Sequence, residues 1–433
     1  MTHVRTVGTL LINNKNAAVL AIALLMFSTV GYVFPNVMAQ TGTVRNFYVA
    51  VESDLGGSGY DVFSPQTLVV QQNDQVNLTV RNVGTDTLHL QIEGQSTVTI
   101  QPSTGNATGT TPADTSVPIF TASAAGIFSF QTQEHPEMNG QLVVLPSDFS
   151  NYNPSAQTRS FTELTLPDFA GDGYDNFFPG TMVVNQGDTV NVSVRNTDDM
   201  PHGFAVAAYG INVAVNPGQD LSDGSIAPVT TSVSPFVAST PGIFRFLCTT
   251  PCGPGHFEMV GALIILPSKG TAYSPVPQTT YSYLTIKPDF AGDGYDKYIP
   301  GNIFANQNDL VYIKIRNTDE MTHGFALPNF GINNETIAPA TNDTPTDTYV
   351  TAFFANQPGI YEFFCTIYCG PGHDQMIGYL VVLPSQKTTT NQPTPSPIPL
   401  FILVLISLAL LIVGILIGAI AVMKFDREKP EPT

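Results

Sequence analysis

The chain has 433 residues, a net charge of −18 and a composition that is 43% hydrophobic but only 12% charged. That length exceeds one hydrophobic core, and that charge argues against nucleic acid or an anionic membrane surface as a ligand. With 36 Gly, 34 Pro and no Trp, the composition fits turn-punctuated β structure better than helical structure.

In chain order, Arg5 and Lys15 precede an apolar run from Ala17 to about Val33, followed by Val37-Met38-Ala39. Residues 1–39 are therefore expected to be an export signal peptide or, if uncleaved, an anchor. Three mutually similar segments follow, at 43–146, 158–267 and 279–384. The run Leu166-Pro-Asp-Phe-Ala-Gly-Asp-Gly-Tyr-Asp175 returns as Lys287-Pro-Asp-Phe-Ala-Gly-Asp-Gly-Tyr-Asp296 and, more faintly, as Gly59-Tyr60-Asp61. Each copy leads into alternating apolar and polar residues (Val76 to Val80, Val190 to Val194, Val311 to Ile315), then Arg-Asn, a polar turn and a His. Strands opening at Gly126, Gly242 and Gly359 run into a loop, after which come Gln141 to Pro146, Ala262 to Pro267 and Tyr379 to Pro384. Period-two alternation with regular turn signals predicts three small all-β sandwiches. The Asp-rich run does not have EF-hand spacing and reads as a turn between strands.

Beyond the repeats, 387–399 is a Pro/Thr-rich stalk. Residues 400–423 form an uncharged apolar run, about 36 Å long as a helix against a hydrocarbon core of about 30 Å, which predicts a transmembrane helix. Lys424, Arg427 and Lys429 lie in the 424–433 tail, so the tail is expected in the cytoplasm and everything before Leu400 outside. The expected location is the cell membrane, with the sandwiches on its extracytoplasmic side.

All four cysteines fall in two identical patterns: Cys248-x3-Cys252-x3-His256-x2-Met259 and Cys365-x3-Cys369-x3-His373-x2-Met376. His202 and His323 stand upstream, each after a polar turn. Thiolate and imidazole are donors that suit copper, and a thioether serves as a weak axial ligand. Two cysteines four apart can bridge two metal ions, in a loop whose shape Gly253-Pro-Gly255 and Gly370-Pro-Gly372 restrict. By residue type alone, a disulfide and a tetrahedral Cys2His2 zinc site stand beside copper as readings.

This pattern resembles the CuA motif of cytochrome c oxidase subunit II and nitrous-oxide reductase, within the cupredoxin superfamily. The resemblance implies an all-β chain of three tandem cupredoxin-like Greek-key sandwiches, two of them with binuclear copper. It implies that Cys248 and Cys252 bridge both coppers, with His202 and Met259 completing one and His256 and the Thr250 carbonyl the other. The corresponding set is Cys365, Cys369, His323, Met376, His373 and the Ile367 carbonyl. The chain departs from subunit II in having three sandwiches, a C-terminal anchor and no Trp. In the first repeat, His89, His135 and Met138 match the pattern, but Thr132 stands where a Cys would be and five loop residues are missing between it and His135. That repeat is expected to be metal-free or to hold a weaker His/Met copper site.

Of seven histidines, His3 lies in the export segment and the other six occupy these positions, leaving none for a catalytic copper cluster or a haem-copper site. The chain is thus not expected to be a catalyst alone. One-electron transfer is expected, either as the electron-receiving subunit of a terminal oxidase or as a freestanding respiratory relay. The implied partners are a cupredoxin or c-type cytochrome donor and a membrane haem-copper subunit. Copper acquisition, storage or delivery, and a structural envelope glycoprotein, are the competing expectations.

Overall fold

Alternation with a period of two governs the strands, as on Thr189–Asn196, where Val190, Val192, Val194 and Asn196 face inward. A computed structural model describes residues 42–385 apart from 107–108, 169–173, 290–292 and 343. The expected export segment, stalk, transmembrane helix and tail lie outside the described residues. Among the described residues, no helix is long and apolar enough to cross a membrane.

The strands fall into three repeats of one topology, each with two five-stranded sheets. In repeat 2 the first sheet runs Asn176–Phe178, Thr158–Leu166, Thr189–Asn196, Val229–Ser232, and Phe236–Val237 also pairs with Thr189–Asn196. The second runs Thr181–Asn185, Val260–Leu266, Gly242–Leu247, His202–Val206, Ile211–Val215. Each sheet has one parallel pair, Thr158–Leu166 with Thr189–Asn196 and Thr181–Asn185 with Val260–Leu266. Thr181–Asn185 and His202–Val206 are buried at every residue, the signature of strands covered on both faces. The core of repeat 2 joins Phe177, Phe204 and Phe246 to Cys248, Cys252 and Met259. In repeat 3, Phe325 and Phe363 pack with Cys365, Cys369 and Met376.

The repeats lie in one compact unit, and each meets both others. Arg195 of repeat 2 donates to the Ser58 carbonyl of repeat 1 at 2.5 Å. Arg81 of repeat 1 donates to the Asp293 carbonyl of repeat 3 at 2.6 Å, and Lys314 of repeat 3 meets Glu258 of repeat 2 at 2.6 Å. The contacts thus close a ring.

Candidate metal centres

The donors reach one end of each sandwich by simple chain geometry. His202 is the first residue of His202–Val206, and Cys248 directly follows Gly242–Leu247. The loop from Cys248 closes through a 3-10 turn, His256–Glu258, before Met259 leads into Val260–Leu266. Gly253 and Gly255 sit at φ 123° and 74°, in the left-handed region that glycine tolerates best, and Gly370 and Gly372 repeat this at 122° and 77°.

In repeat 2 the two thiol sulfurs stand 3.8 Å apart, far beyond the roughly 2.05 Å of a disulfide, and all four cysteines are free and buried. Cys248 Sγ is 3.9 Å from His202 Nδ1 and 3.1 Å from the Thr250 carbonyl oxygen. Cys252 Sγ is 3.5 Å from His256 Nδ1 and 3.9 Å from Met259 Sδ. Repeat 3 reproduces the set. Its sulfurs are 4.0 Å apart, with His323 Nδ1 and the Ile367 oxygen at 4.0 and 3.1 Å from Cys365, and His373 Nδ1 at 3.5 Å from Cys369. Met376 is buried in the same core.

These donors fit a bound metal. With metal–sulfur bonds of about 2.3 Å, sulfurs 3.8 to 4.0 Å apart can share an ion. His202 with Cys248 and Cys252, and His323 with Cys365 and Cys369, form two compact buried clusters.

The electrostatics prepare the first thiol of each pair. Burial opposes ionisation of Cys248, but hydrogen bonding to His202 and to the backbone of Gly203 and Thr250 lowers it overall, and Cys365 is lowered in the same way by His323, Gly324 and Ile367. Burial and the neighbouring Cys248 charge push the Cys252 thiol up. Burial also works against a charged His202, yet its bonds to Asp198 and Cys248 prevail and push it up to about 9.

Behind the donors stands a layer of carboxylates absent from the candidate residues read in the sequence. Asp198 Oδ2 lies 3.0 Å from His202 Nε2, and Asp319 Oδ2 lies 2.8 Å from His323 Nε2. A carboxylate here fixes the ring's tautomer and turns Nδ1 toward sulfur. Asp175 and Asp296, which close the repeated Asp-rich run, interact with Cys252 and Cys369, and burial raises both carboxyls. Asp175 and Asp296 thus line the sites, while 169–173 and 290–292 of the run lie outside the described residues. The run's repetition in the sequence was the available signal.

Repeat 1 does not bring its candidates together: the strand register puts Leu88, not His89 as the sequence suggested, at the place of His202, and the alternation along the strand turns His89 to the other face. His89 Nδ1 is 2.6 Å from Glu134 Oε1, and His135 Nδ1 is 3.3 Å from Glu137 and 3.4 Å from Asp61. Thr132 Oγ1 donates to the His135 carbonyl at 3.1 Å, and Met138 is fully buried. Among the described residues, neither histidine belongs to a metal-competent cluster.

No family model matches the chain. An 88-residue stretch is 35% identical to nitrous-oxide reductase of Stutzerimonas stutzeri, covering 20% of this chain and 12% of that protein. An 85-residue stretch is 32% identical to cytochrome c oxidase subunit 2 of Thermus thermophilus, covering 20% of this chain and 57% of that protein. The chain therefore spans about an eighth of the first relative and just over half of the second. A Cu-containing nitrite reductase from Thermus scotoductus aligns over 78% of this chain and 99% of its own at 15% identity, with a TM-score of 0.22, which is too low to carry any architectural statement. The segment homology, taken with the two-sheet repeats and the His/Cys clusters, gives the chain a likeness to cupredoxin-like proteins.

Proposed function

We propose that repeats 2 and 3 each hold a binuclear CuA-type copper centre and that the chain carries single electrons. In this reading 400–423 anchors it in the cell membrane, with the repeats on the extracytoplasmic side. The observation that carries the proposal is the pairing of each thiol with its own imidazole: His202 beside Cys248, and His256 beside Cys252, with the sulfurs 3.8 Å apart. One tetrahedral ion would gather both imidazoles around itself. Two thiolates with a ring on either side suit two ions that share the sulfurs.

Bound copper supplies a one-electron redox couple. The protein's part is to hold the donors still. Cys248, Cys252 and Met259 belong to the hydrophobic core, so few water dipoles have to reorient when charge changes. Asp198 fixes His202, and the Gly253-Pro-Gly255 loop restricts the second half of the set. His256 is only half-buried, beside Phe257, which is 87% exposed. His373 is likewise half-buried beside exposed Tyr368. These two edges are the proposed contact points for a cupredoxin or c-type cytochrome donor, with a membrane haem-copper subunit as acceptor.

The test is electron paramagnetic resonance and visible absorption of the copper-loaded protein beside the variants Cys248→Ser and Cys365→Ser. A multiline hyperfine pattern from one electron shared by two coppers, weakened by each variant and lost in the double variant, is the expected result. An ordinary mononuclear spectrum, with copper given up readily to a chelator, would overturn this reading in favour of copper storage or delivery.

A further inference from the structure

The three junctions of the ring share one construction. A Tyr from the Asp-rich run of one repeat carries on its face the Arg of the Arg-Asn pair of the next: Arg195 over Tyr60 at 4.4 Å, Arg81 over Tyr295 at 4.1 Å and Arg316 over Tyr174 at 3.7 Å. Behind the ring of Tyr174 lies the metal loop of its own repeat. A Cβ placed on Gly255 would stand 2.3 Å from the Tyr174 ring, and Gly255 precedes His256. Asp175, the next residue after Tyr174, interacts with Cys252. On the other side, Arg316 is followed by Asn317, whose Oδ1 accepts from the Asp319 amide at 2.9 Å. Asp319 in turn holds His323 at 2.8 Å.

We propose that the Tyr174–Arg316 stack is the route by which the centres of repeats 2 and 3 exchange an electron, an inference that rests on the copper reading above. The Arg195–Tyr60 junction starts from a loop with Thr132 in place of a thiol. The Arg81–Tyr295 junction ends at Gly84, where the other repeats carry Asp198 and Asp319. Only the junction of repeats 2 and 3 has a Cys pair at both ends. The exchange oxidises one centre by one electron and reduces the other by one, without moving a proton or breaking a bond. A one-electron donor protein supplies the electron to either centre. Tyr174 and Arg316 are positioning residues, because neither is a metal ligand.

The experiment uses the full chain in detergent, copper-loaded, in a Met259→Leu background that separates the two centres in potential and spectrum. Resonance spectra first establish that both centres are present. Redistribution of one electron after flash photoreduction is then followed. Arg316→Gln and Tyr174→Leu are expected to slow it by on the order of tenfold, whereas Tyr174→Phe, which keeps the ring, preserves the rate. Arg195→Gln and Arg81→Gln serve as controls. In the metal-free protein they are expected to lower the melting temperature as much as Arg316→Gln does, yet to leave the exchange rate unchanged. Wild-type exchange in Arg316→Gln and Tyr174→Leu, or equal slowing in all three Arg variants, would overturn the route while leaving the copper reading standing. Absence of both centres at the first step would overturn that reading and the route with it.

Discussion

Leu88 of repeat 1 and His202 of repeat 2 hold the same place on strands that pair in the same sheet order. They stand three residues before Gln91 and Ala205, which pair with the residues preceding Thr132 and Cys248, so His89 falls one residue further along, on the other face. The His202 side chain is fully buried against Asp198 and aimed at sulfur, while that of His89 is 43% exposed and tied to Glu134. Four losses separate the pockets: the upstream His becomes Leu88, a thiol becomes Thr132, the orienting Asp becomes Gly84, and the loop that would hold a second Cys is shortened. Gly84 keeps the turn itself, since its amide still donates to Asn82 Oδ1 at 2.9 Å as the Asp198 amide does to Asn196. The comparison teaches that the fold does not depend on the donors. The turn, the strands and the buried Met survive where the ligands have gone, and carboxylates stand beside the stranded imidazoles.

The sharpest way to break this comparison is to remove the donors from repeat 2. The double variant Cys248→Ser/Cys252→Ser is expected to halve copper uptake, measured by metal analysis, with the melting temperature of the metal-free protein little changed. Next in size, Asp198→Ala should weaken copper binding in repeat 2 by about 10- to 100-fold, read by chelator competition. No substitution at Gly84 should have a comparable effect.

Met138 separates packing from ligation. Met138→Ala is expected to cost about 2–5 kcal/mol in denaturant unfolding, as for a buried large-to-small change, without altering copper uptake. Met259→Leu should do the reverse, shifting the spectrum at small cost in stability.

Glu163 gives a pH-dependent prediction. It is fully buried, its Oε2 accepts from the Gly180 amide at 3.0 Å, and burial pushes it up to about 8. The unfolded chain releases that proton near pH 4.5, so stability is full below that pH and falls as pH rises toward 8. The slope reaches about 1.4 kcal/mol per pH unit. Glu52, which burial also pushes up to about 8 against the opposing charge of Lys297, adds a second decline of the same sign. Glu163→Gln should flatten the slope and leave the part due to Glu52, as seen in melting curves from pH 5 to pH 8. The smallest expected effect is that of Thr132→Cys. One thiol beside imidazoles held by Glu134, Glu137 and Asp61 should give no binuclear spectrum.

Much of this was legible in the sequence because the signals are local. Alternation along Val190 to Val194 names a strand, and Cys-x3-Cys-x3-His-x2-Met names a loop whose donors lie within one turn of each other. The upstream His was found because each copy follows a polar turn and opens the same His-Gly-Phe-Ala run. Asp198 and Asp319 escaped because an Asp in a polar turn looks like any surface Asp until the strand that follows it is placed. The Asp-rich run was read as a turn, a reading that says nothing of what Asp175 and Asp296 touch. Tyr174 meets Gly255 across the sandwich and Arg316 across a junction, and neither contact leaves a mark in local sequence. Glu163 lies on a strand where an apolar residue would also fit, and Leu284 occupies the corresponding place in repeat 3. No pattern in the chain distinguishes a buried carboxyl there from an exposed one.

The central claim is that two repeats bind copper in pairs and the third binds none. Native mass spectrometry of the copper-loaded full chain, beside a variant with all four cysteines changed to serine, tests it most directly. The account predicts that copper is taken up in pairs, one pair for each pair of cysteines, and that the variant retains none. A single ion for each cysteine pair, or copper retained by the variant at His89 and His135, would contradict it.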